Sequence, residues 1–190
     1  MPLHDRRLLL KKEPYYIERD EQKRQAFDEE IAGLPLDTDI VYVDECGINK
    51  EMSRTYGRAP CGERVYLPVQ GRRTKKVNIV AGLLNNKLLC PTKYTWNTTG
   101  EWFNKWFEWY LCPLLRDGSV IVMDNASFHK KADLKRITDS YGLRIIWLPP
   151  YSPDKNPIEN SWANMKNWLR LNAKKYVAIQ EAISAYFKPE

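Results

Sequence analysis

Four consecutive apolar residues, Val120 to Met123, run without a break into Asp124. Gly118 precedes the run and Asn125 follows the carboxylate, so the segment reads as a short, fully buried central strand. Its polar group is then held at the carboxyl end of the strand. In open sheets flanked by helices, ligand and catalytic groups gather at that edge. Asp124-Asn125 also suits a plain turn, since both residue types favour turns. Two other carboxylates bear on the choice.

A second strand signal, Ile40 to Val43, also ends in an acid, Asp44, with Glu45 beside it and Gly47 offering a turn away. Side chains alternate along a strand, so Asp44 and Glu45 point to opposite sides and only one of them readily shares a site with Asp124. Lys76 to Leu83 and Lys87 to Tyr94 read as two strands joined by a two-residue turn at Asn85-Asn86. Arg64 to Leu67 is a candidate short strand. Thr98 to about Leu111 reads as a helix, with Thr98 and Glu101 at capping-box spacing. Its stripe Trp102, Trp106, Trp109 suits core packing better than base stacking. Lys131 to Tyr141 is a helix stopped by Gly142, and Leu143 to Leu148 is a buried strand. After a Pro-rich loop, Asn156-Pro157 opens a helix with Asn as cap and Ile158, Trp162, Met165 and Leu169 as its inner face. A last helix spans about Tyr176 to Phe187. Near the start, Glu18 to Ala32 is a thin-faced helix with Asp20 and Arg24 one turn apart, closed by Gly33. Early strands joined by hairpins and later strands joined through helices give a mixed α/β sheet of about five strands, the first three antiparallel.

A chain of 190 residues with 43% hydrophobic content builds one core domain. The cysteines Cys46, Cys61, Cys90 and Cys112 form no C-x-x-C pair, which argues against a zinc site or a disulfide framework and for a reducing setting. No apolar run approaches a membrane span, and no signal peptide opens the sequence. The net charge of +6 is modest, but its placement is local. Lys50 to Lys76 holds eight bases against two acids, among them Arg54, Arg58, Arg72, Arg73, Lys75 and Lys76. Lys166, Arg170, Lys174 and Lys175 form a second acid-free stretch. Such clusters suit a phosphate backbone.

If the strands ending in Asp44 and Asp124 are neighbours, their carboxylates meet, and Glu159 in the first turn of the Asn156-Pro157 helix approaches from the flank. Three carboxylates together repel one another and call for a cation. Oxygen ligands of this kind suit Mg2+ or Mn2+, and two such ions about 3.5–4 Å apart serve phosphoryl transfer. The competing readings are a capping-box role for Glu159 with Asn156, Asp154 as third ligand, and Glu45 as first ligand.

Three blocks carry a resemblance. They are Val41 to Gly47 around Asp44, Val122 to His129 around Asp124, and Leu148 to Asn160 around Glu159, with 34 residues between Asp124 and Glu159. In order and spacing they resemble the catalytic blocks of mariner-type DDE transposases, nearest the bacterial insertion-sequence branch, over about residues 37–170. The resemblance implies a ribonuclease H-like fold and cut-and-paste transposition; the two rival readings are a metal-dependent nuclease of the same fold and an inactive DNA-binding relic. It implies Asp44, Asp124 and Glu159 as catalytic ligands of two Mg2+ or Mn2+ ions. It also implies double-stranded DNA as partner, both transposon ends and target at a TA step, and a dimer on DNA. Arg54, Arg58, Arg72, Arg73, Lys75, Lys76, Lys166 and Arg170 are the candidate DNA contacts. The expected setting is the bacterial cytoplasm, at the nucleoid. Residues 1–36 read as the tail or linker of an amino-terminal helix-turn-helix region, and 37–190 as the catalytic domain. One departure stands out: where the family usually has an aromatic after a glycine, the run Tyr56 to Gly62 carries Arg58.

Overall fold

The computed structural model describes residues 17–49, 60, 64, 66 and 76–188. Five strands form one sheet: β1 (Ile40–Ile48), β2 (Val77–Leu84), β3 (Lys87–Tyr94), β4 (Val120–Met123) and β5 (Arg144–Trp147), in the order β3-β2-β1-β4-β5. β1, β2 and β3 are antiparallel, as hairpin connections require, and β4 and β5 join in parallel through helical crossovers. Asn85 and Asn86 take φ of 49° and 63°, the left-handed pair of a tight hairpin turn.

Alternation along β1 sorts the layers. Val41 and Val43 face one side, with Ile121 and Met123, and pack against Phe103, Trp106, Phe107, Leu134 and Ile137. Those residues come from α2 (Gly100–Trp106), the π turn after it (Phe107–Leu111) and α3 (Lys131–Ser140). Cys46 and Ile48 face the other side, where α4 (Ile158–Asn172) and α5 (Ile179–Tyr186) bring Ile158, Trp162, Met165, Leu169, Ile179 and Ile183. α1 (Glu21–Ala32) covers the β4–β5 end of the sheet through Phe27, against Val120, Val122, Ile146 and Leu148.

Four local expectations are corrected. β1 does not end at Asp44 but continues to Ile48, because β2 supplies ladder partners along it, from Tyr42 opposite Leu83 to Ile48 opposite Val77. Gly47 therefore lies within a strand, where the Lys76 side chain crosses it; a Cβ there would fall 1.6 Å from Lys76 Cε. The α2 cap is Thr99, whose hydroxyl accepts from the Trp102 N–H at 3.3 Å, while the Thr98 hydroxyl shares a hydrogen bond with Tyr94. The tryptophan stripe is the core face only in part: Trp106 is buried and Trp102 packs against the core, but Trp109 does not. Phe103, Phe107 and Leu111 recur every four residues and are fully buried, a spacing carried through the wide i→i+5 turn. Trp109 and Tyr110 rotate out, 63% and 59% exposed. Finally, Asn156 gives α4 no side-chain cap; its Oδ1 is buried with no hydrogen-bond partner among the described residues.

Candidate active site

Parallel pairing of β1 with β4 runs from Ile40 opposite Val120 to Val43 opposite Met123. The next residues in register are Asp44 and Asp124. β4 stops there, and β1 carries on against β2 alone. Both aspartates thus stand at the carboxyl end of the parallel pair, at the same level. α4 packs on β1 through Ile158 and Trp162, and Glu159 lies between those two residues in its first turn, exposed.

Asp44 is mostly enclosed. Burial pushes its carboxyl up to about 7, and the negative charges of Glu159 and Asp124 push in the same direction. The Trp162 indole N–H opposes this by donating to Asp44 Oδ2 at 3.0 Å. Asp124 is 53% exposed and its Oδ1 is engaged from its own loop, 3.2 Å from His129 Nε2 and 3.3 Å from the Ala126 backbone N–H. A cleft of about 720 Å3 opens beside it, lined by Lys23, Phe27, Asn125, Pro149 and Tyr151 among others.

The rival ligands are resolved differently. Asp154 is committed elsewhere. It accepts from Arg24 at 2.7 and 3.1 Å and from Arg19 at 2.5 Å, which holds its carboxyl down at about 2. It ties α1 to the loop before α4. Glu45 takes the opposite side of β1 from Asp44, as alternation requires, and its charge reaches Tyr94. Burial raises its carboxyl to about 8, with Asp124 and then Asp44 adding to the shift. Its Oε1 is buried without a hydrogen-bond partner among the described residues. The capping-box reading of Glu159 lacks its side-chain bond, since α4 has no side-chain cap.

Among the described residues, no group of three or more His, Cys, Asp or Glu is gathered tightly enough to hold a metal ion. Asp44, Asp124 and Glu159 are in electrostatic contact and not in ligand geometry. Their chemistry nevertheless fits a hard divalent cation. All the donors are carboxylate oxygens, and among the described residues no Lys or Arg forms an ion pair with Asp44, Glu45, Asp124 or Glu159.

Of the candidate DNA contacts, Arg54, Arg58, Arg72, Arg73 and Lys75 lie outside the described residues, as do the candidate strand Arg64 to Leu67, apart from two positions, and most of the run around Arg58. Lys76 is exposed at the start of β2. Lys166, half-buried, lies two turns along α4 from Glu159, and its charge opposes the upward push that burial gives the Cys46 thiol. Arg170 donates to Asn167 Oδ1 at 2.7 Å. Sequence reasoning missed the ring N–H groups of Trp162 and His129. Helical spacing marks Trp162 only as an apolar-face residue; its position one turn after Glu159 is the signal of a second role.

A family model for DDE superfamily endonucleases matches residues 39–180, and the chain belongs to that family. Among solved structures, the fold is similar to the catalytic domain of Mos1 mariner transposase (TM-score 0.60, 12% identity, 92% of this chain and 81% of that one). It is also similar to the Mos1 strand transfer complex (TM-score 0.63, 14% identity, 83% of this chain and 52% of that one). A mixed five-strand sheet with its first three strands antiparallel is thus a ribonuclease H-like arrangement. An uncharacterized protein, y4pE/y4sA of Sinorhizobium fredii (strain NBRC 101917 / NGR234), is 40% identical over 52 residues, 27% of this chain. This chain spans 36% of that relative and about half of the Mos1 chain in the strand transfer complex. Among the described residues no helix is long and apolar enough to cross a membrane.

Proposed function

We propose that this chain is the catalytic domain of a cut-and-paste DNA transposase that acts on double-stranded DNA at transposon ends and joins them to a target, at a TA step. The observation that carries the reading is the pair Asp44 and Asp124, next in register at the end of the parallel β1–β4 pairing, with the charge of Glu159 acting on Asp44 and no Lys or Arg partner among the described residues. Membership of the DDE endonuclease family and the Mos1 complexes with transposon ends support it.

In this reading Asp44, Asp124 and Glu159 hold two Mg2+ or Mn2+ ions, which when bound activate water or a 3′ hydroxyl and stabilise the leaving oxygen of a phosphodiester. The chain itself supplies the positions. β1 fixes Asp44, the β4 end presents Asp124 to the cleft, and α4 brings Glu159. The two basic stretches, Arg54 to Lys76 and Lys166 to Arg170, contact phosphates. Residues 1–36 lead from a helix-turn-helix region that reads the transposon ends, and two copies act on DNA at the bacterial nucleoid.

The test is a strand-transfer assay on labelled end DNA with Mg2+ or Mn2+, with and without a supplied amino-terminal region. Cleavage followed by joining is expected, and Asp124→Ala should abolish both while leaving the far-ultraviolet dichroism intact. Nicking without joining would assign a nuclease instead. No cleavage under any condition would assign a DNA-binding relic.

A further inference from the structure

Each of the two aspartates at the end of the parallel β1–β4 pairing has one ring nitrogen of a buried aromatic side chain against it. Trp162 is 1% exposed, and its Nε1 lies 3.0 Å from Asp44 Oδ2. An indole nitrogen only donates, so that oxygen must accept. The His129 side chain is 2% exposed, and its Nε2 lies 3.2 Å from Asp124 Oδ1. The imidazole is packed edge-on to Phe103, ring centres 4.4 Å apart, and against Phe128 at 4.2 Å. Its Nδ1 is buried with no hydrogen-bond partner among the described residues. That pattern selects the tautomer: a proton on Nε2 gives a bond to the carboxylate, whereas a proton on Nδ1 would bury an unpaired donor and set two lone pairs face to face.

We infer that Trp162 and His129 are positioning residues which commit Oδ2 of Asp44 and Oδ1 of Asp124 to ring N–H donors and so direct the remaining oxygens toward the cation. The inference rests on the proposed role of these aspartates as metal ligands. Carboxylate ligands held by an outer shell of hydrogen bonds keep their orientation, and losing such a bond costs about 10–100-fold in metal affinity. Trp162 also links two ligands mechanically. It sits one turn after Glu159 on α4, so its bond to Asp44 sets the height of Glu159 over β1. On Asp124 the Ala126 backbone N–H shares Oδ1 with His129, so both donors restrain the same oxygen.

The experiment is a calorimetric titration of the full chain with Mn2+, alongside thermal melts, for wild type, His129→Phe, His129→Gln, Trp162→Phe and Asp124→Asn. Phenylalanine keeps ring bulk and removes the donor; glutamine restores an N–H at similar reach. The expected result is a Mn2+ affinity lowered about tenfold or more in His129→Phe and in Trp162→Phe, with His129→Gln within about threefold of wild type. Folded His129→Phe and Trp162→Phe proteins that bind Mn2+ like wild type would overturn the inference. So would His129→Gln binding as poorly as His129→Phe, because ring packing and not the donor would then be at work. If one phenylalanine variant fails to fold, the other decides. Asp124→Asn separates the two levels. Loss of Mn2+ binding there with no loss in the phenylalanine variants leaves the carboxylate site standing and removes only the positioning role. A wild type that binds no Mn2+, or Asp124→Asn binding like wild type, removes both.

Discussion

Glu45 is the residue whose environment fits its chemistry least. A carboxyl raised to about 8 from an ordinary 4.5 keeps its proton in the folded chain while the unfolded chain has lost it. Between those two pH values the folded state therefore binds more protons, and stability falls as pH rises. Asp44, raised to about 7, acts in the same direction over a narrower range. Glu45→Gln should then stabilise the fold at pH 8 by on the order of 2–4 kcal/mol, seen as a higher melting temperature, and change it far less at pH 5. Melts of both proteins at the two pH values check this; parallel pH profiles would contradict it. Asp154 has the opposite sign. Held at about 2 by Arg24 and Arg19, it contributes stability that is present above the ordinary carboxylate pKa and lost as pH falls toward 2. The group is half exposed, so solvent screening keeps the contribution to about 1 kcal/mol.

At the scale of elements, the salt bridges of Asp154 with Arg24 and Arg19, and of Lys155 with Asp28 at 2.6 Å, fasten α1 to the loop before α4. Asp154→Asn should open α1 to limited proteolysis before the rest of the chain; a digestion pattern like that of wild type would show that Phe27 packing holds the helix unaided. The π turn after α2 makes a second contrast. Trp106→Ala should cost about 3–5 kcal/mol in urea unfolding, whereas Trp109→Ala should stay within about 0.5 kcal/mol. Equal costs would put Trp109 in the core beside Trp106, as the stripe predicts. Here the limits of reading from sequence are plain. β3, β4 and the inner face of α4 were legible because apolar runs and a 3.6-residue period report burial directly. The extension of β1 through Glu45 was not, because its ladder partner lies about 30 residues away in β2, and polar residues hid the strand. The exposure of Trp109 depends on a π turn, which no local propensity marks. The two aspartates were legible because each follows an apolar run, although only β4 ends there. Their ring N–H partners were not, since the Trp162 contact spans 118 residues.

On the scale of the whole molecule, charge is the property most open to test. The bases from Arg54 to Lys76 follow the strand that bears Asp44. Neutralising Arg72 and Arg73 together should flatten the slope of log affinity against log salt by about 2, and weaken all DNA sequences alike. An unchanged slope in a salt titration would make these residues solubilising only. The sheet order has a further consequence for how the three carboxylates can move. Asp44 belongs to the middle strand, paired with Ala81 of β2 inside a ladder that runs from Tyr42 to Ile48, so it should be held until the β1–β2 pairing itself opens, as hydrogen exchange along β1 can check. Asp124 leaves the sheet at a strand terminus, and Glu159 rides on a helix end without a side-chain cap, so both belong to segments that open locally. The site is built around one fixed pole, and any adjustment to a substrate of varying shape has to come from the other two carboxylates closing toward it.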